Sequence, residues 1–155
     1  MGEGVEWGLH CCLVLAWLDD LAPLPAGRLA EVFDLPPEYL KKRLQPLVKA
    51  GILSSDAGAR GGYRLARDPA GITLMDVVVA IEGGLEPFQC QEVRQRGAGA
   101  TASADEFRRP CGILTAFRKA ELAWRRELAA QTLADLLAAT PKTAQQRARR
   151  FVERV

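Results

Sequence analysis

The sequence predicts a mainly α-helical protein with a small β-hairpin, in which a winged helix-turn-helix domain precedes a long C-terminal dimerisation helix. A helix that opens at Pro36-Pro37-Glu38 and carries Lys41, Lys42 and Arg43 is the first observation behind this prediction. The second is the hairpin that follows it, whose tip reads Gly58-Ala59-Arg60-Gly61-Gly62. The third is length and composition: 155 residues with 48% apolar content suffice for one compact domain with an appendage.

Charge and cysteine content narrow the class of protein. The net charge is only +2, so affinity for nucleic acid must come from local clusters of Arg and Lys. The N-terminus lacks the basic region of a signal peptide, and no apolar stretch is long enough to span a bilayer. We therefore expect a cytoplasmic protein with no membrane partner. There thiols stay reduced, so the four cysteines are ligands, redox groups or small hydrophobic residues rather than disulfides.

Two helices are predicted before the basic helix. Gly4 to Leu18 has an apolar stripe at helical spacing, and a second helix runs from about Ala26 to Phe33. Cys11 and Cys12 lie among apolar neighbours on the first helix, so they are interpreted as buried small hydrophobic residues. The second helix, the short link after it and the basic helix together form the helix-turn-helix.

The basic helix has an apolar stripe with Leu40, Leu44 and Leu47 on one side and leaves most of its polar residues on the other. Proline fixes a φ angle that suits a first helical turn, which explains the start of this helix. Pro46 lies inside its third turn, where we expect a kink or an early end. Tyr39 is expected in the core.

Two short strands, Ile52-Leu53 and Tyr63-Arg64-Leu65, flank the glycine-rich tip and complete a winged helix. Such a domain binds double-stranded DNA through a helix in the major groove and a wing in the minor groove. A dimer would place two copies of the helix on a pseudo-palindromic operator. The expected DNA-contacting residues are Lys41, Lys42, Arg43, Arg60 and Arg64.

The remainder of the chain contains two further predicted helices. Thr73 and Asp76 have the spacing of a capping box for a helix from Leu74 to Glu82. A loop of low periodicity then runs from Leu85 to Pro110, and a helix from Cys111 to about Ala139 has more apolar surface than a lone helix needs, so a second subunit should cover it. The predicted regions are 1–83 for DNA binding, 84–110 for a cluster-binding loop, 111–139 for dimerisation and 140–155 for a basic tail.

Four side chains are candidate metal ligands. Glu6 and His10 lie one helical turn apart, with Cβ atoms roughly 5 to 6 Å apart, which can chelate one metal ion but also occurs for ordinary helical reasons. Cys90 and Cys111 are separated by twenty residues, unlike a zinc knuckle or a bacterial ferredoxin run. Cys111 is expected in a first helical turn, where unpaired N–H groups stabilise a thiolate.

Several segments together resemble the IscR and NsrR family of winged-helix iron-sulfur transcription regulators. The segments that show the resemblance are Tyr39-Leu40, Leu47, Ala50-Gly51-Ile52-Leu53, Gly61-Gly62-Tyr63-Arg64-Leu65-Ala66, Ile72-Thr73-Leu74, Asp76-Val77, Ala80-Ile81-Glu82-Gly83 and Thr132-Leu133-Ala134-Asp135-Leu136-Leu137. The Gly-Gly-Tyr-Arg-Leu wing followed by the Glu-Gly helix stop is specific to that family. The resemblance implies a dimeric DNA-binding regulator.

The cysteines depart from the family pattern, because most cluster-binding members place three closely spaced cysteines in the loop after Glu82-Gly83. The chain instead resembles the redox-sensing RsrR type, in which two cysteines, a Glu and a His hold a 2Fe-2S cluster. The resemblance implies that Cys90, Cys111, Glu6 and His10 are the ligands, with the Glu and His from one subunit and the cysteines from its partner. Fewer thiolate ligands should raise the reduction potential.

Other functions remain open at this point. Trp7, beside Glu6, is either a redox relay to the DNA-binding helix or a core or interface residue. The regulator could also sense through bare thiols, zinc held by the same four side chains, or nitric oxide. The alternative of another class is an enzyme or electron carrier. It is not favoured, because no nucleophile and base surround the lone His10 and the glycine-rich run lies in a hairpin rather than before a helix.

Overall fold

The computed structural model describes residues 2–58, 60–84 and 88–154. Ala59, at the expected hairpin tip, and Leu85, at the start of the expected loop, lie outside the described residues. The elements in chain order are α1 Glu3–Trp17, α2 Ala26–Val32, α3 Pro37–Lys49, β1 Leu53–Asp56, β2 Gly62–Leu65, α4 Leu74–Glu82, α5 Gly112–Ala129, α6 Leu133–Ala139 and α7 Lys142–Glu153. The chain divides into two compact units: residues 1–84 with 128–155, here called the main unit, and residues 85–127, called the insert.

The core of the main unit forms around α1, which contacts α3, α4, α6, α7 and β2. Apolar residues recur on more than one side of this helix, so it can be covered on several sides at once. The largest fully buried residues of the unit come mainly from α1, α2, α3 and the strand that follows: Leu15, Leu18, Leu29, Leu40, Leu44, Leu47, Ile52 and Leu53. The mainly helical fold predicted from the sequence is confirmed.

The helix-turn-helix and its hairpin have the predicted arrangement. The two strands pair antiparallel, with Leu53 opposite Leu65. Leu24 and Tyr63 exchange backbone hydrogen bonds of 2.9 and 2.8 Å and extend the hairpin by one bridge. Gly62 permits this bridge, since a Cβ there would lie 2.4 Å from the carbonyl carbon of Leu24. The second strand of the hairpin therefore pairs with the segment that precedes α2.

Helix α3 passes through Pro46 and continues to Lys49. Of the two expected outcomes, a kink or an early end, the early end is wrong. Proline removes one backbone hydrogen bond of the helix. Leu44 and Leu47, on either side of Pro46, are both fully buried. Packing of these two leucines against the core holds the last turn in place despite the missing bond.

Helix α4 has the predicted bounds and the predicted capping box. The backbone N–H of Asp76 donates to the Thr73 hydroxyl over 3.0 Å, and the N–H of Thr73 donates to the Asp76 carboxylate over 2.9 Å. Two otherwise unpaired donors of the first turn are thereby satisfied. Gly83 ends the helix with a φ of 76°, a conformation that favours glycine.

The prediction of one helix from Cys111 to Ala139 is wrong, because the chain forms α5 and α6 with a break at residues 130–132. Thr132 and Asp135 form a second capping box, which starts α6. The break is also held by backbone hydrogen bonds of 2.9 Å from Leu74 N to Gln131 O and from Leu133 N to Ile72 O. The caps of α4 and α6 therefore lie side by side.

The basic tail contains α7, which packs against α1 and α2 instead of lying free in solvent. Ala148 and Val152 are buried, and the guanidinium of Arg149 pairs with the carboxylate of Asp20 over 2.6 Å. Arg28 on α2 donates to the carbonyl of Val152 over 2.6 Å. One face of the tail is thus part of the main unit.

The insert has little regular structure before α5, as predicted. Its described residues form three short 3-10 turns, at Val93–Gln95, Gly97–Thr101 and Ala104–Phe107. The rings of Phe88 and Phe117 stack with centroids 4.4 Å apart. None of the described residues 88–127 is buried. Across the described part of the chain, no helix is long and apolar enough to cross a membrane.

Candidate nucleic-acid interface and metal ligands

The first two turns of α3 present two exposed lysines. Lys41 and Lys42 are exposed, and the Lys41 ammonium lies 2.6 Å from the Glu38 carboxylate one turn earlier. This hydrogen bond to Glu38 raises the pKa of Lys41. Lys41 is therefore charged at neutral pH. Lys42 has no ion-pair partner among the described residues. A phosphate could replace Glu38 at Lys41 or meet Lys42 directly.

Arg43 lies against the protein instead of pointing into solvent beside the two lysines. Its guanidinium carbon lies 4.6 Å from the centroid of the Tyr39 ring, and its Nη2 donates to the Tyr39 hydroxyl. A Cβ on Gly4 of α1 would lie 3.0 Å from Arg43 Cδ. The buried Nε of Arg43 has no hydrogen-bond partner among the described residues. The side chain thus packs between α3 and the start of α1.

Tyr39 connects this arginine to the first helix. The rings of Tyr39 and Trp7 meet edge to face, with centroids 5.3 Å apart and planes at 77°. Tyr39 is 39% exposed, so its expected place in the core is wrong. Trp7 is half-buried. The three side chains form a continuous row from α1 to α3, the Trp7–Tyr39–Arg43 row.

The hairpin supplies two more exposed arginines. Arg64 lies opposite Ser54 in the strand register, and its Nη2 lies 3.3 Å from the Asp56 carboxylate. Arg60 is exposed near the tip. The hairpin therefore presents two positive charges. That of Arg64 is paired with Asp56 within the protein.

The candidate ligands of the first helix lie on the surface of the main unit. Glu6 and His10 are both exposed on α1, one turn apart. The ring of His10 lies 5.3 Å from that of Phe33, tilted by 50°. Neither side chain makes a hydrogen bond or ion pair to another described residue. Their donor atoms are available to an ion.

The candidate cysteines lie in the insert. Cys111 directly precedes α5, and its carbonyl accepts from the backbone N–H of Thr115 over 2.9 Å. Cys90 is exposed and borders a cavity of about 360 Å³ whose walls include Leu114 and Arg118 of α5. Cys90 therefore lies beside the first turns of the helix that Cys111 precedes.

Arg94 is a functional candidate that the sequence reasoning missed. Its guanidinium donates to the Glu92 carboxylate over 2.9 Å and to the Arg109 carbonyl over 3.2 Å. The hydrogen bond to Glu92 raises the pKa of Arg94 most, and the thiolates of Cys111 and Cys90 raise it further. Arg94 therefore interacts electrostatically with both cysteines of the insert. No spacing rule points to this residue.

Cys11 and Cys12 differ from Cys90 and Cys111 in burial. Cys11 and Cys12 are fully buried in the core, as predicted. Burial raises the pKa of each to about 12, because a thiolate is poorly solvated there. Protonated, buried thiols are poor metal ligands. Among the described residues of the single chain, no three His, Cys, Asp or Glu side chains gather in a way that could hold a metal ion.

Comparison with known proteins decides the family. A profile of the Rrf2 family, described as iron-dependent transcriptional regulators, matches residues 1–139. The chain belongs to the Rrf2 family. It is 31% identical over 132 residues to the HTH-type transcriptional regulator NsrR of Geobacillus kaustophilus, a match that covers 85% of each chain.

Solved structures with the Rrf2-family fold agree with this assignment. The structure of CymR, the global cysteine regulator of Bacillus subtilis, matches with a TM-score of 0.67 and 26% identity, covering 91% of this chain and 98% of that one. The structure of T. potens IscR matches with a TM-score of 0.65 and 26% identity, covering 92% and 89%. This Rrf2-family protein is thus a transcription regulator with a DNA-binding fold, and it is not an enzyme.

The relatives do not share one signal. The family as a whole is described by its dependence on iron, whereas CymR is described as a regulator of cysteine. In this Rrf2-family chain the four predicted ligands fall two and two: Glu6 and His10 on the main unit, Cys90 and Cys111 on the insert. Two thiols, an imidazole and a carboxylate, all accessible, form a donor set that fits an iron-sulfur centre.

Proposed function

We propose that this regulator is a DNA-binding homodimer that senses redox state through a 2Fe-2S cluster held by Cys90, Cys111, Glu6 and His10. The observation that supports it most is the donor set: four accessible side chains, none engaged through its donor atoms by another described residue. Arg94 beside the two thiols offsets part of the negative charge that the ligands bring. The description of the family as iron-dependent supports the choice of iron.

Each cluster would take ligands from both subunits, with Glu6 and His10 from one and the two cysteines from the other. This division is supported by the single chain, where no three candidate ligands gather among the described residues. When bound, such a cluster supplies a one-electron redox couple. The carboxylate and imidazole, which are exposed on α1, would anchor it to the main unit.

Dimer formation would bury the apolar side of α5. Ile113 is 60% exposed and Phe117 51% exposed, and both lie on one side of this helix at a spacing of one turn. Exposed large apolar side chains at such spacing mark an interaction surface. A second copy of the chain is the partner that also completes the ligand set.

DNA binding would use α3 and the hairpin of each subunit on a pseudo-palindromic operator. Lys41 and Lys42 would meet phosphates or bases in the major groove, and Arg60 and Arg64 would follow the adjacent backbone and minor groove. Arg43 takes a different role in this proposal. It fixes Tyr39 and through it Trp7, and reaches DNA only if the Trp7–Tyr39–Arg43 row rearranges.

The Trp7–Tyr39–Arg43 row would carry the signal between the ligands and the DNA-binding helix. Trp7 is the neighbour of Glu6 in sequence, so a shift of α1 at the ligands moves the ring that packs on Tyr39. Regulation is then a population shift between two placements of α3. We propose that the oxidised form binds DNA tightly and that reduction releases it.

The deciding experiment is the visible absorption spectrum of anaerobically purified protein before and after dithionite. A coloured protein that bleaches reversibly is expected, with an altered spectrum for His10→Ala and for Glu6→Gln. Glu3→Gln is the matched control, because Glu3 is also exposed in the first turn of α1. A colourless protein without iron, or equal spectra for Glu6→Gln and Glu3→Gln, contradicts the proposed ligand set.

The switch itself is tested by gel shifts of oxidised and reduced protein on the same operator fragment. We expect at least tenfold weaker binding after reduction, which corresponds to about 1.4 kcal/mol. Trp7→Phe should lower this ratio while it keeps the binding of the oxidised form. Equal affinity in the two redox states overturns the proposed switch and leaves the DNA-binding function intact.

The dimer interface is tested by introducing charge on opposite sides of α5. Ile113→Glu should shift sedimentation toward the monomer, because a buried unpaired carboxylate is strongly unfavourable. Leu122→Glu is the control, since Leu122 is also exposed but lies half a helical turn away around the axis. A full dimer in Ile113→Glu contradicts this interface.

A second candidate is a thiol or zinc sensor with the same fold. It is favoured by one observation, the exposed Cys90 beside α5 with Arg94 within reach of both thiols. Metal analysis distinguishes the candidates: iron with acid-labile sulfide supports the cluster, and zinc alone supports the zinc site. A metal-free protein whose DNA binding is lost on mild oxidation supports the thiol version.

A further inference from the structure

The main unit has an apolar groove that lies away from the proposed DNA surface and includes His10 as its one proposed cluster ligand. It lies between α1, α2 and α7 and has a volume of about 390 Å³. The α7 groove, as we name it, is bounded by Leu13, Trp17, Phe33, Ala144, Arg147 and Phe151. This volume is in the range of small-molecule sites, which are mostly apolar with a few polar groups.

The groove exists because α7 is held firmly at one end and has small residues facing its neighbours. Arg149 pairs with Asp20 over 2.6 Å, and Arg28 binds the carbonyl of Val152. Ala144 and Ala148 lie between the start of α7 and these two contacts, and their side chains are too small to fill the space between α7 and its neighbours. The helix also lies beyond residues 1–139, which the family profile matches.

The charge of the groove points to an anionic ligand. Arg147 is exposed at its edge and makes no hydrogen bond or ion pair to another described residue, whereas Arg149, two positions on, is paired with Asp20. None of the described residues that line the groove is acidic. The Thr140 hydroxyl donates to the Leu136 carbonyl over 2.7 Å, so its proton is already used. Among the described residues that line the groove, Arg147 is therefore the one arginine or lysine, and it lies beside an apolar surface.

We propose that the α7 groove binds a small amphipathic carboxylate. The carboxylate pairs with the guanidinium of Arg147, and its apolar tail lies against the rings of Trp17 and Phe33. Arginine suits this role because its planar fork matches two carboxylate oxygens. The volume accepts a tail as long as an octyl chain or a substituted aromatic ring. His10 also borders the groove and is left unchanged in every variant that tests it.

The test is calorimetric titration of the full chain with sodium octanoate and, separately, with phenylacetate. 1-Octanol is the uncharged control ligand. Arg147→Gln should weaken binding of the acid at least tenfold. Arg150→Gln, an exposed arginine of α7 outside the groove, should change it less than twofold. The pair separates a local ion pair from the general positive charge of the helix.

A second variant tests whether Arg147→Gln weakens binding only because it disturbs the fold. Ala144→Leu fills the groove, so it should abolish octanoate binding while the melting temperature stays equal or rises. The proposal is overturned if neither acid binds, if 1-octanol binds as tightly as octanoate, or if Arg147→Gln and Arg150→Gln behave alike. None of these outcomes depends on iron or on DNA.

Discussion

The main unit and the insert hold their shapes in different ways. In the main unit, leucines of α1, α2 and α3 are fully buried in one core, whereas none of the described residues of the insert is buried. Among its described residues, the insert relies on short turns, the stack of Phe88 on Phe117 and ion pairs such as that of Arg94 with Glu92. A core fixes geometry without help, while surface contacts of this kind contribute little. The main unit is thus held in shape by its own core. The insert, which carries Cys90 and Cys111, has no comparable core among its described residues.

The largest expected contrast is between the two pairs of thiols. Burial raises the pKa of Cys11 and Cys12 to about 12, which leaves on the order of a thousandfold less thiolate than a free thiol has at about pH 8. Dithionitrobenzoate should therefore modify Cys90 and Cys111 quickly in metal-free native protein, and the buried pair only after unfolding. Rapid reaction of all four thiols in native protein would show that the two pairs do not differ in this way.

The next contrast is in stability. Leu44→Ala removes a fully buried side chain from the main unit and should lower the free energy of unfolding by about 2 to 5 kcal/mol. Val93→Ala in the insert, where the side chain is 64% exposed, should change it by less than about 0.5 kcal/mol. Urea unfolding followed by circular dichroism measures both. Similar losses of unfolding free energy in the two variants would mean that Val93 contributes to a core as Leu44 does.

DNA binding should show a smaller difference within the main unit alone. Lys42→Ala should weaken operator binding several-fold and reduce the salt slope by about one ion, because one phosphate contact is lost. Lys49→Ala, an exposed lysine at the other end of α3, is the matched control and should leave the slope unchanged. Fluorescence anisotropy across a salt series gives both values. An unchanged slope for Lys42→Ala would remove this lysine from the interface.

The smallest effect concerns the ion pair that ties α7 to the main unit. Arg149 holds the pKa of Asp20 below its usual range, so the pair stabilises the fold above the unfolded pKa and loses that contribution as the pH falls through the folded pKa. Asp20→Asn should therefore lower the urea midpoint slightly at neutral pH. The difference from the wild type should vanish in acid. A difference that grows in acid would have the wrong sign.

Local signals predicted much of the fold. The capping box of Thr73 and Asp76 indicates where α4 begins, because side chains within four residues determine such a start. Thr132 and Asp135 carry the same signal, but the apolar repeat on both sides of them suggests one helix instead of two. The hydrogen bond from Leu74 to Gln131 joins distant residues, so no local pattern could reveal it.

The candidate site was less predictable, because it depends on contacts between elements. Lys41, Lys42 and Arg43 are adjacent in sequence, but successive residues turn by about 100° around a helix, so the three cannot share one face. Tyr39 and Gly4 draw Arg43 toward α1. Which partner an arginine meets is set by tertiary packing. Arg94 illustrates the same limit. Cys90 lies four residues before it in the sequence, but its interaction with Cys111, which is distant in sequence, depends on the fold.

The paired caps of α4 and α6 have a consequence for how such regulators diversify. Thr73 and Thr132 face each other in an isolated bridge, and two backbone hydrogen bonds beside it join the chain just before α4 to the chain just before α6. The cassette, as we call the segment between Thr73 and Thr132, therefore has its two ends joined by backbone hydrogen bonds. Evolution can lengthen, shorten or rewrite the cysteine-bearing part of that cassette without disturbing the DNA-binding scaffold. One scaffold can in this way acquire many different signals.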